Sequence, residues 1–294
     1  MMDVFSDYRS LLFGIAYRML GRVADAEDVV QETYLRWHRQ DVSAIDSPKA
    51  WLIATTTRLS IDQLRSAQRQ REEYVGVWLP EPLVAPDLNS PSDSAALADS
   101  LGMAFMMMLE TLSPVERAVF LLREAFDYDY AEIARIVEKS EANCRQIVTR
   151  ARGQLARRDK AEAAPVTQAE PIVQRFLAAC RSGSLEELLA MLTDDAVLYT
   201  DGGGRVKAAR RPICSADHVA RFFLGIRERS LVGADIRFVV VNGELGILAR
   251  NPAGRVWVST FVLKGERIKA IYSVSNPDKL QRLPEFAALP PDPI

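Results

Sequence analysis

Apolar residues recur at intervals of three and four along three stretches at the start of the chain, which is the spacing of amphipathic helices. The pattern predicts helices over residues 6–20, 25–37 and 48–71, and Pro48 directly after Ser47 is typical of a helix start. We expect the inward stripe of the third helix to consist of Trp51, Leu52, Thr55, Leu59 and Leu64. Residues 1–71 are therefore predicted to form an all-helical domain.

A second all-helical domain is predicted over residues 98–160. Its clearest signal is Ser113-Pro114-Val115-Glu116, a capping box with proline at the first helical position. A short helix over 129–137 and a tight turn precede a basic helix that starts at Glu141. These are the proportions of a helix-turn-helix, whose second helix lies in the major groove of DNA. A helical hairpin without a DNA contact is the alternative for the same pattern.

Between these two domains, residues 72–97 read as a linker. The stretch contains four prolines and shows neither a helical nor a strand period. No Lys or Arg occurs from Glu72 to Glu116, whereas the helices on either side are rich in arginine. Two basic helices separated by an acidic segment are typical of two nucleic-acid contacts on one chain, although solvated helix faces would give the same charge pattern.

The chain changes character after Pro165. Helices are predicted over 169–181, 185–192 and 216–227, and strands over 196–200, 236–241, 245–250, 256–263 and 267–274. The Asn242-Gly243 pair between two strands is a strong hairpin signal. Residues 168–290 are therefore predicted to form an α+β domain with a curved antiparallel sheet and one concave face, like a cone. The chain is thus expected to be multidomain, with two all-α domains followed by this α+β cone.

Composition narrows the location and the chemistry. The three cysteines, Cys144, Cys180 and Cys214, are far apart, so we expect reduced thiols, no metal site and no cofactor. The N-terminus lacks a signal peptide, and no apolar run reaches the roughly 18 residues that span a bilayer. A cytoplasmic protein without a membrane contact is the expectation.

Several motifs in the helical domains resemble those of extracytoplasmic-function (ECF) sigma factors of RNA polymerase. The segment DAEDVVQETYLRW over 25–37 resembles region 2.2, and PKAWL over 48–52 through IDQLR over 61–65 resembles regions 2.3 and 2.4. Leu112-Ser113-Pro114 through Glu132-Ile133-Ala134 and Arg150-Ala151-Arg152 resembles region 4. Arg58 stands where the family commonly has Asn.

The resemblance implies RNA polymerase core as one partner, through the clamp helices of its largest subunit and its flap, and promoter DNA as the other. Residues expected to bind core polymerase are Asp25, Asp28, Val29, Gln31 and Glu32. Contacts to the −10 element are expected from Lys49, Trp51, Arg58 and Arg65, with a base pocket in the loop over 38–46. Contacts to the −35 element are expected from Glu141, Asn143, Arg145, Gln146, Thr149, Arg150 and Arg152, with Arg157 on a phosphate.

Three further motifs resemble the signature of the SigJ-like subgroup of ECF sigma factors, in which a SnoaL-like domain follows the sigma domains. They are WLPEP over 78–82, DGGGR over 201–205 and NPDKL over 276–280. The resemblance implies that the extra domain modulates activity in cis, without a dedicated anti-sigma factor. The implied regulatory contacts are Trp78, Pro80, Glu81, Asp201, Gly203, Arg205, Asn276, Asp278 and Lys279.

SnoaL-like cones also include enzymes and ligand-binding proteins, so both alternatives stay open for the last domain. Residues that could line a pocket are Asp195, Tyr199, Asp201 and Tyr272, with His218 beside Asp217 on a predicted helix. A lone histidine on a helix is more often structural, and the fold does not determine the chemistry. We expect no catalytic residues here and a regulatory role for the domain.

Overall fold

The computed structural model describes residues 4–40, 45–85, 102–156 and 166–284. The chain divides into two compact units. The first, here called the helical unit, comprises residues 1–73, 93–99 and 105–160. The second, the sheet unit, comprises residues 74–92, 100–104 and 161–294, so the described part of the predicted linker from Tyr74 to Ala85 belongs to it.

The helical unit begins with three helices, α1 (Val4–Leu20), α2 (Val23–His38) and α3 (Pro48–Glu72), as the sequence predicted. Next along the chain, α4 (Met103–Leu109) starts in the sheet unit and ends in the helical unit. Three more helices follow, α5 (Pro114–Glu124), α6 (Tyr130–Val137) and α7 (Glu141–Ala156). The predicted capping box is confirmed, because Ser113 and Glu116 bond each other's backbone amides.

One apolar core runs through the helical unit. It joins Leu12 of α1 and Leu52 of α3 to Val119 of α5 and Ile133 of α6. The inward stripe predicted for α3 is partly wrong, since Leu52 and Leu64 are buried but Trp51, Thr55 and Leu59 are only half-buried. The buried positions include Ile53, Thr56, Thr57, Ser60 and Ile61. Thr56 and Ser60 are buried with satisfied hydroxyl groups, since those of Thr33 and Thr56 bond each other at 3.1 Å and Ser60 donates to the carbonyl of Thr56.

The sheet unit contains α8 (Val166–Ser182), α9 (Leu185–Met191) and α10 (Ala216–Ile226). Its strands are β1 (Val84–Ala85), β2 (Leu192–Asp201), β3 (Ile213–Cys214), β4 (Asp235–Val241), β5 (Glu244–Arg250), β6 (Val256–Lys264) and β7 (Arg267–Val274). The order in the sheet is β1-β4-β5-β6-β7-β2-β3. The predicted meander from β4 to β7 is confirmed, and Asn242 and Gly243 form its first hairpin with positive φ angles.

Two features of this sheet differ from the sequence prediction. Strand β2 pairs parallel with β7, so the sheet is not purely antiparallel. The segment predicted as a linker without regular structure supplies β1, in which Val84 and Ala85 pair with Val241 and Val240 at the edge of the sheet. A two-residue strand is too short to leave a period in the sequence, since its pairing depends on a partner far along the chain.

The two faces of the sheet are covered by different parts of the unit. One face packs against α8, α9 and α10 and encloses the larger apolar core, which includes Phe176, Leu198 and Phe261. On the other face, the buried residues Val241 and Leu248 pack against Val84 and against residues near the end of the described chain. Among the described residues, no helix is long and apolar enough to cross a membrane.

Candidate functional site

Helix α7 presents the polar face that was predicted to read DNA. Ser140 caps its first turn by accepting a hydrogen bond from the Asn143 amide at 3.2 Å. The helix buries Cys144, Ile147, Val148 and Ala151 against the core. The other side of the helix exposes all of the residues expected at the −35 element: Glu141, Asn143, Arg145, Gln146, Thr149, Arg150 and Arg152. No described residue of the helical unit covers this face, so it is accessible to a partner molecule.

Two arginines of α7 are held in place by neighbouring side chains. Arg145 pairs with Glu141 at 2.7 Å, one turn earlier, and its guanidinium lies over the ring of Tyr130. Arg152 makes a two-pronged contact with Glu124 of α5, at 2.7 and 3.1 Å. This contact raises the pKa of Arg152 and braces α7 against α5. Arg157, expected on a phosphate, lies outside the described residues.

On α2, an exposed stripe crosses the segment that was expected to bind core polymerase. Asp28 and Gln31 are exposed, and Glu32 pairs with Arg36 at 2.8 Å. Leu35 lies one turn beyond Gln31 and Glu32 and is 40% exposed, which places an apolar side chain beside the acidic ones. Asp25 is half-buried. Val29, expected at this surface, is instead buried in the helix bundle, where it packs α2 against the other helices.

The residues expected at the −10 element lie along α3 in different surroundings. Lys49 is exposed near the ring of Tyr128, and the ring of Trp51 packs against that of Trp37 with 5.5 Å between their centres. Arg65 pairs with Asp62 at 3.0 Å on the surface. Residues 41–44 of the loop expected to form a base pocket lie outside the described residues.

Arg58 is engaged by the helix-turn-helix. Its guanidinium donates hydrogen bonds to the carbonyls of Ile136 and Arg135, at 2.9 and 3.1 Å, and lies 3.2 Å from the Glu138 carboxylate. These carbonyls belong to the last turn of α6, where a cation also complements the helix dipole. Arg58 therefore caps α6 in this conformation.

A buried polar cluster surrounds Asp201, at the end of β2. Its carboxylate is fully buried and accepts hydrogen bonds from the Tyr74 hydroxyl at 2.6 Å and from the Leu79 amide at 2.9 Å. It also forms an ion pair with Lys279 at 2.7 Å, and the side chain of Lys279 is only 3% exposed. One carboxylate thus joins the segment after α3 to the turn after β7.

Lys279 completes this cluster. Its ammonium group bonds the carbonyl of Leu79 and lies over the rings of Trp78 and Tyr74, at 4.2 and 5.1 Å from their centres. The Asn276 side chain donates from Nδ2 to the Tyr74 hydroxyl at 2.9 Å, and its Oδ1 accepts from the Asp278 amide. The buried charge of Lys279 is therefore compensated by a carboxylate, a carbonyl and two aromatic faces.

A second contact fixes the same segment at the sheet edge. Leu83 exchanges two hydrogen bonds with Asn242, one from its amide to the Asn242 side chain at 3.0 Å and one from the Asn242 amide to its carbonyl at 2.9 Å. Leu79, Pro80, Glu81 and Pro82 are buried between these two contacts. We call residues 74–85 the docked segment.

Gly203, Arg205 and Asp278 lie where the turn after β2 meets the turn after β7. Gly203 has a φ of +60°, and a Cβ atom there would lie 2.2 Å from the Asn276 side chain. Glycine is thus required for the two turns to meet. Arg205 and Asp278 pair with each other at 3.4 Å on the surface, so they join these turns and make no described contact with the docked segment.

A cavity of about 250 Å³ opens between the sheet and the helices of the sheet unit. None of the five residues considered as possible pocket residues lines it. Tyr199, Asp201 and Tyr272 point to the opposite face of the sheet, and Asp195 and His218 are exposed elsewhere. The described residues that line the cavity include no carboxylate and no imidazole. Burial raises the pKa of the Cys180 thiol, so this lining cysteine stays protonated.

Sequence reasoning missed three residues of the docked-segment contacts, Tyr74, Leu83 and Asn242. Tyr74 lies just before the WLPEP motif, and its position among prolines and acids gives no periodic signal. Asn242 was recognised only as a hairpin residue. Its φ of +52° is typical of asparagine in a tight turn, and this conformation leaves its side chain available to Leu83.

Two family models match the helical parts of the chain. One describes sigma-70 region 2 and matches residues 4–70, and the other describes sigma-70 region 4 and matches residues 102–155. A relative that spans nearly the whole chain is the ECF RNA polymerase sigma factor SigJ of Mycobacterium tuberculosis. It is 35% identical over 95% of this chain and 93% of its own length.

Solved structures give the same relationship. The crystal structure of M. tuberculosis SigJ matches with a TM-score of 0.77 at 33% identity and covers 94% of this chain and 97% of that chain. An NTF2-like protein of Pseudomonas putida matches over 38% of this chain and 89% of that chain, at 10% identity and a TM-score of 0.28. That last likeness concerns the fold alone.

Proposed function

The chain belongs to the ECF sigma factors and directs promoter recognition with RNA polymerase, and we propose that its sheet unit modulates this activity in cis by holding the docked segment. The observation that carries the proposal is the buried carboxylate of Asp201. It binds Tyr74, Leu79 and Lys279 at the same time. Because the sheet unit binds this part of the linker, it would determine whether the linker is available to the polymerase.

For the helical unit, we propose that α2 binds the clamp helices of the largest polymerase subunit. The support is the exposed stripe of Asp28, Gln31, Glu32 and Leu35, which combines acidic charge with one apolar side chain. A basic partner surface would be attracted by the charges, and Leu35 would supply apolar contact area. Val29 is not part of this surface.

DNA recognition is proposed for α3 and α7. Helix α7 would read the −35 element through Arg145, Gln146 and the exposed side chains around them, while region 4 contacts the polymerase flap. Lys49, Trp51, Arg58 and Arg65 of α3 would serve the −10 element. Arg58 is bonded to the end of α6 in this conformation, so its use at the −10 element requires α6 to release it.

The sheet unit is proposed to be regulatory and not enzymatic. The described lining of its cavity has no acid–base pair, and hydrogen bonding lowers the pKa of Asp195, which makes this exposed carboxylate a poor base at neutral pH. We further propose that this internal control replaces a dedicated anti-sigma factor. The protein would act in the cytoplasm, where its polymerase partner is.

Hydrogen exchange on the full-length chain tests this proposal. The amides of Leu79 and Leu83 donate hydrogen bonds to the side chains of Asp201 and Asn242. We therefore expect slow hydrogen exchange over residues 77–85. Lys279→Met should accelerate exchange across that segment. Arg205→Gln, a change in the exposed pair on the same two turns, is the matched control and should leave it slow. Fast exchange in the unmodified chain would refute the proposal.

A further inference from the structure

The cavity of the sheet unit has a polarity gradient that the strand pairing creates. At its deep end, Leu198, Ile271 and Phe261 are cross-strand neighbours on β2, β7 and β6. Two residues further along the same strands, Thr200, Ser273 and Ser259 form the next row. Because side chains alternate between faces, both rows point into the cavity, one apolar and one bearing hydroxyls.

The apolar end is closed by aromatic side chains of the helices. Phe176 of α8 and Phe223 of α10 meet edge to face with 5.2 Å between their ring centres, and Phe176 also contacts Phe261. Phe222 and Ile226 of α10 complete this wall. An apolar body of limited size would fit here, since the volume of about 250 Å³ lies just below the range of about 300–1,000 Å³ usual for ligand pockets.

Three cations, Lys207, Arg229 and Arg255, line the other end of the cavity. Among the residues that the structure describes, no carboxylate forms an ion pair with any of them. Arg255 is partly buried, and one of its nitrogens donates to the Lys207 carbonyl at 2.7 Å and lies 3.3 Å from the Ser275 hydroxyl. Burial and the nearby charge of Arg229 lower the pKa of Arg255. Like charges gathered without a counter-charge favour an anion.

Arg229 reaches this position through an irregular turn. Residues Arg227–Leu231 form a single π-helical turn directly after α10, and Arg229, Ser230 and Leu231 all line the cavity. Such turns are rare in proteins, and those that occur are often found at functional sites. The Asn251 side chain fixes the turn by donating to the Arg229 carbonyl at 2.9 Å, and Arg229 itself is exposed.

We propose that this cavity binds a small amphipathic organic anion, with its apolar body among Phe176, Phe223 and Phe261 and its charged group at Lys207, Arg229 and Arg255. The site is separate from the docked segment, which lies on the opposite face of the sheet. The two are nevertheless linked, since Ser275 contacts Arg255 and also donates from its amide to the Asp201 carbonyl at 2.8 Å. A bound anion would therefore lie close to the strand end that holds the linker.

Octanoate is a suitable probe, with 1-octanol and acetate as matched controls for its apolar body and its charge. Binding to the full-length protein would be measured by isothermal titration calorimetry. We expect saturable binding of octanoate, weaker binding of octanol and none of acetate. Added salt should weaken the binding of octanoate and leave that of octanol unchanged.

Variants locate the site. Arg229→Gln combined with Lys207→Gln should raise the dissociation constant of octanoate about ten-fold or more, because contacts to charged groups are the stronger ones. Arg267→Gln, an exposed arginine at the start of β7 and outside the cavity, is the control and should not change it. The proposal is overturned by no saturable binding, by equal affinity for octanol, or by an equal effect of the control. Unchanged affinity in the double variant would also overturn it.

Discussion

Helix α7 and the docked segment were both singled out as contact surfaces by sequence motifs, yet they meet that expectation in opposite ways. The polar side chains of α7 are exposed and pair only with near neighbours in the helical unit. The docked segment is buried at its centre, residues 79–82, and its backbone is bonded to Asp201, Lys279 and Asn242. One surface therefore lacks its partner, whereas the other already has it within the chain.

The difference lies in how each surface satisfies its polar groups. A helix satisfies its own backbone, so the side chains of α7 are left to bind DNA edges and phosphates. A proline-containing segment with almost no internal pairing needs donors and acceptors from elsewhere, and the sheet unit supplies them. Substitutions in the two regions should thus separate into losses of promoter recognition and losses of stability or control.

The largest effect is expected from Asp201→Ala. It removes the acceptor of four hydrogen bonds, from Tyr74, Leu79, Gly203 and Lys279, and leaves the Lys279 ammonium buried without its carboxylate. Breaking a buried pair in this way costs about 3–5 kcal/mol. Calorimetric unfolding of the full-length chain should show a lower melting temperature for the sheet unit. Asp278→Ala, in the exposed pair nearby, should leave that transition within about 0.5 kcal/mol of the original. Equal effects of the two changes would contradict the proposed role of Asp201.

A smaller but still large effect is expected on polymerase binding. Reversing the charge at Asp28 and Glu32 places positive charges against a basic partner surface. This should weaken the binding free energy by about 2–4 kcal/mol. Affinity for core polymerase should fall while the helical content stays the same, since Asp28 is exposed and Glu32 pairs only with Arg36 on the surface. Reversal at Asp62, on α3, provides a control of the same charge type. Undiminished affinity would remove α2 from the interface.

For α7, the expected effect is on specificity. Arg145→Ala should cost about 1–3 kcal/mol on the preferred −35 sequence and relax the preference at one base pair. Arg152→Ala should weaken all promoters more evenly, because Arg152 braces α7 against Glu124. Selection of binding sequences by the reconstituted holoenzyme would measure both. An unaltered −35 preference after Arg145→Ala would mean that another face of α7 is used.

The smallest effect sharpens the account of the docked segment. Tyr74→Phe keeps the ring that lies near Lys279 and removes only the hydroxyl shared by Asp201 and Asn276. The loss should be about 1.5 kcal/mol, because the hydroxyl makes two hydrogen bonds and one of them has a charged acceptor. The ratio of exchange rates at the Leu79 amide reports it. An unchanged exchange rate at the Leu79 amide would show that the hydroxyl does not help to bind the docked segment.

Sequence patterns predicted the helices and the β4–β7 meander because these elements depend on local periodicity and local turns. They failed where distant residues decide the outcome. Thr56 and Ser60 are buried on α3 because their hydroxyl groups form hydrogen bonds with other polar groups. The spacing of apolar residues in the sequence does not reveal these bonds. Tyr199 and Tyr272 were expected in a pocket but stack on the opposite face, because the parallel pairing of β2 with β7 fixes which side they face.

The candidate sites follow the same rule. The exposed residues of α7 could be predicted, since a helix in a helix-turn-helix shows its polar face by sequence spacing alone. The motif residues around Asp201 could be listed in advance, but their arrangement could not. Asp201, Lys279 and Asn276 contact the docked segment, whereas Arg205 and Asp278 contact each other. These roles depend on how two turns and a strand end meet in space.

Transcription initiation by the full-length protein with core polymerase tests the central claim most directly. Asp201→Ala and Lys279→Met release the same segment, so both should change the transcript yield in the same direction and to a similar extent. Asp278→Ala should match the unmodified protein, and affinity for core polymerase should be equal in all four. Unchanged yields in both release variants, or changes in opposite directions, would contradict the claim that the sheet unit controls the sigma factor through the docked segment.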